Sequence, residues 1–200
     1  MSSDTSAAEQ PVTVRTSERG AATRGALLEA AREVFVSRGF AEAGVTDVVQ
    51  RAGASVGSLY HHFSGKADLY LALFEDFQSR QALRTKQAVQ EARQAGESEA
   101  MPLFLAGARA YLAGCLVERE LAALFLRGDG PPGFEVIMRE RPRQWARRNA
   151  TLFENEDALV IVITGALAGV VQEITLSEDP VAARRMSEEA LQLIARLRPR

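Results

Sequence analysis

Apolar residues recur along this chain every three to four positions, and alternating runs are missing, so the pattern predicts helices and no strands. Leu27, Leu28, Ala31, Val34 and Phe35 make one stripe and predict a helix over residues 22–37, broken at Arg38-Gly39-Phe40. Val48, Val49 and Ala52 give the next short helix an apolar side. Thr46 is its expected N-cap, Asp47 suits the positive end of its dipole, and Gly53 is its stop. Ser55 is expected to cap a second short helix carrying Ser58, Tyr60, His61 and His62. Ser64 is expected to cap a long helix that runs to residue 95. Its buried face opens with Leu69, Tyr70, Leu73, Phe74 and Phe77 and turns polar beyond Gln78. Further helices are expected over residues 102–118, 119–126, 156–176 and 180–197. Gly128-Asp129-Gly130-Pro131-Pro132-Gly133 reads as a loop. A helical piece over residues 134–140 follows, and Pro142 kinks it or starts a new helix with Trp145, Leu152 and Phe153. Residues 1–20 are rich in Ser, Thr and Ala without an apolar period, and read as a disordered arm.

The chemistry gathers in residues 46–66. Two short helices joined by a glycine-containing turn have the shape of a helix-turn-helix, whose second helix enters the DNA major groove. Lys66 is the misfit, because a lysine in the first turn of a helix opposes the dipole. A helix start already attracts anions, so Lys66 reads as part of a phosphate clamp, with the Tyr60 hydroxyl shortly before it. A solvated lysine beside a half-buried tyrosine is the plain alternative. The run Gly57-Ser58-Leu59-Tyr60-His61-His62-Phe63, followed by Lys66, Asp68 and Leu69, resembles the DNA-binding signature of the TetR family of bacterial regulators. Upstream, Leu27, Leu28, Ala31, Phe35, Gly39, Phe40 and Thr46 match the rest of that signature, so the resemblance covers about residues 23–70.

The resemblance implies an all-α chain. After the arm over residues 1–20, residues 21–66 would be the helix-turn-helix DNA-binding domain. Residues 67–200 would be a helical ligand-binding and dimerisation domain. Thr46, Ser55, Ser58, Tyr60 and Lys66 are implied as phosphate ligands, and Val56, Gly57 and His61 would face base edges. His62 is expected to brace the fold.

Of the 200 residues, 46% are hydrophobic and 25% charged, which suits a soluble globular protein of one or two domains. A net charge of -2 argues against a generally basic nucleic-acid coat and leaves room for a local site. Within residues 46–66, Asp47 stands against Arg51 and Lys66, so useful affinity is expected only from a dimer holding two readers. Arg15, Arg19 and Arg24 would allow the arm to reach a minor groove, although a solvated tail is the simpler reading. Arg139, Arg141, Arg143, Arg147 and Arg148 read as a solvated face partly balanced by Glu135 and Glu140. The single cysteine, Cys115, excludes an internal disulfide and fits a reducing cytoplasm. No stretch of 18 apolar residues is free of charge, so no membrane span is expected. His61 and His62 are adjacent and point about 100° apart on a helix, so they cannot chelate one ion. No cofactor, metal or catalytic set is expected.

Taken as a group, Phe77, Phe104, Ala108, Arg109, Tyr111, Phe125, Trp145 and Phe153 are expected to line a ligand pocket, mostly apolar with a few polar groups; for any single one of them, filling the core is the plain alternative. Arg109 either pairs with a carboxylate or anchors an acidic group of the ligand. Gly165 and Gly169, four apart, with Leu191 and Ile194, suit paired C-terminal helices; packing within the monomer is the plain alternative, and the resemblance implies that they lie at a twofold interface. The expectation is a homodimeric repressor on a double-stranded operator, released by an apolar or amphipathic small molecule. The rivals are a helical enzyme or carrier with a relic reader, and a ligand-independent regulator or an activator.

Overall fold

The computed structural model describes residues 12–153 and 156–197, and among these every regular element is a helix. The stripe from Leu27 to Phe35 lies on α1 (Val12–Glu42), which is longer than its apolar period predicts. The expected arm is therefore helical from Val12 onward, and residues 1–11 lie outside the described residues. Gly39 interrupts α1 with φ 78 and ψ 174, a backbone state that favours glycine, so the sequence break appears as a kink inside one helix.

Two caps differ from expectation. Helix α2 (Val45–Ala52) has Gly44 as its N-cap, two residues earlier than the expected Thr46. The Asp47 carboxylate accepts the Gly44 amide at 3.1 Å, so Asp47 satisfies the entry and Thr46 stands exposed in the first turn. Gly53 ends α2 in the left-handed conformation (φ 62), as expected. Ser55 caps α3 (Val56–His62), its hydroxyl accepting the Ser58 amide at 3.0 Å. Helix α4 (Lys66–Gln94) starts after Gly65 rather than at Ser64. The Ser64 amide instead donates to the Asp68 carboxylate at 2.7 Å, which reverses the expected direction of the cap.

Helices α5 (Ala100–Val117) and α6 (Arg119–Leu126) meet at Glu118. That carboxylate is buried and accepts from Arg80 at 2.9 Å, Gln81 at 3.1 Å and Arg84 at 2.6 Å, so it ties α4 to the α5–α6 corner. Burial raises the Glu118 pKa, but the Arg84 and Arg80 hydrogen bonds outweigh it and hold the carboxyl below its ordinary value. Helix α7 (Phe134–Ala150) is continuous with Pro142 exposed inside it, so the proline neither starts nor ends the element. Leu152 and Phe153 fall in the turn beyond α7. Helices α8 (Asp157–Leu176) and α9 (Pro180–Ile194) pack on each other, and Asp179 caps α9 by accepting the Val181 amide at 2.8 Å. By length and composition α5 and α8 would each suffice to cross a membrane, yet each buries part of its surface against other helices.

The core is one cluster, running from Leu27 and Phe35 through Leu59, Leu69 and Phe74 to Phe125, Ile163 and Leu191. Aromatic rings form its spine. Tyr70 on α4 meets Phe35 and Phe40 of α1, Phe125 of α6 and Phe134 of α7 edge-on, with centroids 5.1–5.5 Å apart.

Candidate nucleic-acid interface

Helix α3 is held from behind. Leu59 and Phe63 are buried in the core shared with α1, and the Arg24 guanidinium lies 5.1 Å over the Phe63 ring. The His62 ring is half-buried against Phe63, with centroids 6.4 Å apart, which matches a bracing role. With those residues inward, the helical period turns Val56, Gly57, Tyr60 and His61 outward together. Val56 is 43% and Tyr60 56% exposed. A large apolar residue and a tyrosine one turn apart in solvent are unexplained by folding and suit contact with a partner. Ser55 is exposed beside them, Ser58 is half-buried, and Thr46 is exposed at the start of α2.

The charges around this face are largely paired. Arg38 meets Asp47 at 3.0 Å, and Arg51 is bridged to Glu33. Lys66 differs from the sequence argument. Its ammonium donates to the carbonyls of Phe40 at 2.8 Å and Ala41 at 3.0 Å, and lies 4.5 Å over the Phe40 ring. A lysine unfavourable at the start of α4 is favourable at the C-terminal end of α1, where free carbonyls concentrate. Local structure thus explains Lys66, and one of its three donors remains for a phosphate.

The amides of the same two residues are also taken, by a residue from the second half of the chain. The Asp129 carboxylate accepts the Phe40 amide at 2.6 Å and the Ala41 amide at 3.2 Å. The Asp129 carbonyl accepts the Tyr70 hydroxyl at 3.1 Å. Gly39 makes this possible: a Cβ there would lie 2.3 Å from the Asp129 oxygen. Sequence reasoning missed Asp129. Its signal is an acidic residue between glycines in a proline-containing loop.

The expected ligand residues separate into two groups. Phe77 packs on Phe125, within the Tyr70 spine. Phe104 meets Trp145 at 5.6 Å and Phe153 at 5.7 Å. Ala108 is buried, and Tyr111 is half-buried with its hydroxyl accepting from Arg141 at 3.3 Å. Burial, with Cys115 nearby, pushes the Tyr111 pKa up to about 12, so its hydroxyl keeps its proton. Burial likewise pushes the Cys115 thiol up to about 12, leaving it inert. Arg109 is no pocket residue: it faces solvent and pairs with Glu188 of α9 at 3.0 Å. A cleft of about 360 Å³ lies elsewhere, between α1 and α4, lined by Glu29, Arg32, Asp76 and Arg80 among others.

The expected interface residues also separate. Gly165 and Gly169 are exposed on α8. Leu191 and Ile194 are 2% and 4% exposed, so they belong to the protomer's own core. The outward apolar residues are Ile161, Val162 and Leu176 on α8 and Val181, Met186 and Leu193 on α9.

Comparison with known proteins agrees with this architecture. The family profile for bacterial regulatory proteins of the tetR family matches residues 27–73, the stretch holding α2, α3 and most of their supports. The transcriptional activator FasR of Mycolicibacterium smegmatis is 50% identical over 68 residues, 31% of each chain. The transcriptional regulator AcuR of Cereibacter sphaeroides is 30% identical over 141 residues, 66% of this chain and 61% of that one. In these matches the chain spans less than two thirds of either relative's length. A solved TetR-family transcriptional regulator from Pectobacterium atrosepticum is 27% identical, with a TM-score of 0.60 over 92% of this chain and 98% of that one. The findings converge: residues 27–73 match the tetR family of bacterial regulatory proteins, the relatives that share this segment are themselves regulators, and the whole all-helical chain is similar in fold to a TetR-family transcriptional regulator.

Proposed function

We propose that this chain is a cytoplasmic DNA-binding regulator, a homodimer that represses from a double-stranded operator and is released by an apolar or amphipathic small molecule. Residues 21–66 read DNA, and residues 67–200 bind the effector and dimerise. The observation that carries this reading is the outward face of α3, where Val56, Gly57, Tyr60 and His61 project while Leu59 and Phe63 fix the helix from behind. Val56 suits a thymine methyl, and His61 suits a base acceptor. Thr46, Ser55, Ser58 and Tyr60 offer hydroxyls to phosphates, joined by the third donor of Lys66. Two copies are needed because the face is nearly neutral, and the exposed apolar residues of α8 and α9 supply a surface for pairing. Activation is a second reading, favoured by the activator FasR among the relatives.

The test is fluorescence anisotropy on duplex DNA flanking the protein's own gene, across a range of salt. Specific binding that weakens with salt is expected. Tyr60→Phe removes one hydrogen bond from an uncharged hydroxyl to a charged phosphate per subunit, so affinity should fall at least about tenfold with an unchanged salt slope. His61→Ala should change which sequences are preferred. Absence of salt-dependent binding to any such duplex would remove the regulator reading. A reporter gene under the same duplex then separates repression from activation by the direction of its change.

A further inference from the structure

Arg141 projects from α7 toward α4 and α5, and among the described residues no carboxylate lies within 4.0 Å of it. Its Nη2 donates to Gln78 Oε1 at 2.8 Å and to the Tyr111 hydroxyl at 3.3 Å. The guanidinium lies 5.4 Å over the Phe74 ring, and Nη1 has only the Met138 sulfur at 3.9 Å. Gln78 is constrained in turn. Its oxygen serves the arginine, so its Nε2 is buried without an acceptor. Flipping the amide would set NH₂ against a guanidinium, so the orphan donor follows from the arginine. A half-buried cation without a counter-ion beside a buried donor without an acceptor leaves a surplus of donors, and both deficits are costly. One negatively charged acceptor, forked like the guanidinium, answers both.

The surroundings say what the rest of such a molecule would be. Trp145 is one turn beyond Arg141 on α7, and Phe104 lies two turns before Tyr111 on α5, so both share the faces that meet at the arginine. Trp145 and Phe104 touch edge-on, which gives an aromatic strip leading away from the charge. Helix α7 packs its backbone on α8 and reaches α4 and α5 chiefly through these long side chains. Long side chains can part more easily than interlocked backbones.

We propose that Arg141, with Gln78, anchors the carboxylate of an amphipathic acid whose apolar body lies along Trp145 and Phe104. This names the chemistry of the effector and rests on the regulator reading above. Arg141, not Arg109, is the acid anchor.

Trp145 is the only tryptophan of the chain, so its fluorescence reports occupancy without DNA. Phenylbutyrate and decanoate are titrated into the full-length protein at neutral pH, each against the primary amide of the same body. The carboxylates should bind at least about tenfold more tightly than their amides. Arg141→Met should abolish that preference, Arg141→Lys should restore part of it, and Gln78→Leu should weaken carboxylate binding while leaving amide binding alone. Thermal unfolding of each variant confirms that it is folded. Equal affinity for acid and amide in the wild type, a preference that survives Arg141→Met, or no carboxylate binding up to about 1 mM overturns the proposal. The two readings fail separately. Acid binding that depends on Arg141 but leaves operator affinity unchanged sinks the effector role and keeps the site. Operator release by these acids that ignores Arg141→Met sinks the site and keeps the regulator.

Discussion

Replacing Asp129 by alanine should loosen the end of α1 without touching the exposed reader face. In the native fold residues 40 and 41 have every backbone group engaged. Asp129 takes both amides, and Lys66 takes both carbonyls. The Gly39 kink creates this need, since it takes those two amides out of the helical ladder. A hydrogen bond to a charged acceptor is worth about 1.5–3 kcal/mol, and the 2.6 Å bond to the half-buried Phe40 amide belongs in that range. The longer bond to the exposed Ala41 amide adds less, about 0.5 kcal/mol, because water competes for it. Local opening of the kink should therefore become easier by about 2–3.5 kcal/mol. At about 1.4 kcal/mol per decade, the Phe40 and Ala41 amides should exchange about 30- to 300-fold faster.

Amide hydrogen exchange resolved to single residues measures this directly. Asp129→Asn keeps one acceptor oxygen and should give a smaller acceleration. Gly39→Ala should mimic Asp129→Ala, because its Cβ would meet the carboxylate at 2.3 Å and its φ of 78 strains any side chain. Under the proposed function, operator affinity should fall as well, since α2 begins at Val45, just beyond the loosened turn. Unchanged exchange at Phe40 and Ala41 in Asp129→Ala would refute the reasoning, whatever happened to DNA binding.

Ile161→Glu, at a site 65% exposed on α8, should leave the fold intact but, under the proposed function, turn the proposed dimer into monomers in sedimentation and lower operator affinity at least about tenfold. Leu191→Glu should instead unfold the chain, because Leu191 is buried in the protomer; a folded monomer from that variant would contradict the assignment. Glu118 has its pKa held below the unfolded carboxylate value of about 4.3. Its stabilisation is therefore present above that pH and is lost as the pH falls below it. Glu118→Gln should cost about 1–3 kcal/mol at neutral pH and flatten the acid limb of the stability curve, as followed by denaturant melts across pH. An acid limb identical to the wild type would show that the Arg80–Glu118–Arg84 cluster contributes nothing.

How much of this was legible in the sequence depended on the range of the interaction. The helices, the Gly53 stop and the Ser55 cap follow from neighbours a few residues apart, and the sequence carries those signals directly. Lys66 defeated the same method because its dipole argument considered only α4, whereas its partners lie 25 and 26 residues earlier at the end of α1. Asp129 lies 88 and 89 residues from the amides it binds, and no periodicity connects them. The dimer residues show a different limit. A hydrophobic stripe says that a face is covered, not whether the cover is the same chain or a copy. On α9 the stripe with Leu191 and Ile194 proved internal, while on α8, apolar nearly all round, Ile161, Val162, Gly165 and Gly169 were left outside. Arg109 reads in the sequence as a lone charge on an apolar helix, whereas Arg141 reads as part of a solvated, partly balanced face and is instead half-buried against Gln78 and Tyr111. Only the partners decide between them, since Glu188 neutralises the first and nothing charged neutralises the second among the described residues.

These long-range contacts bear on how a signal would travel. A reader hung on α4 alone would respond only to movement of that helix. Here the rings of Phe35 and Phe40 on α1 meet Tyr70, and Tyr70 meets Phe125 and Phe134, so α1, α4, α6 and α7 share one packed spine. Asp129 lies on the loop between α6 and α7, and Arg141 lies two turns along α7 from Phe134. Any displacement of α7 that accommodates a bound acid is shared among its packing on α8, the Phe134 contacts, the loop, and the Asp129 bonds to residues 40 and 41. Packed cores adjust in discrete steps rather than continuously. Among these contacts, only the Asp129 bonds act directly on the turn that precedes α2, so under the proposed function a shift passed through them is the one that would reach the reader.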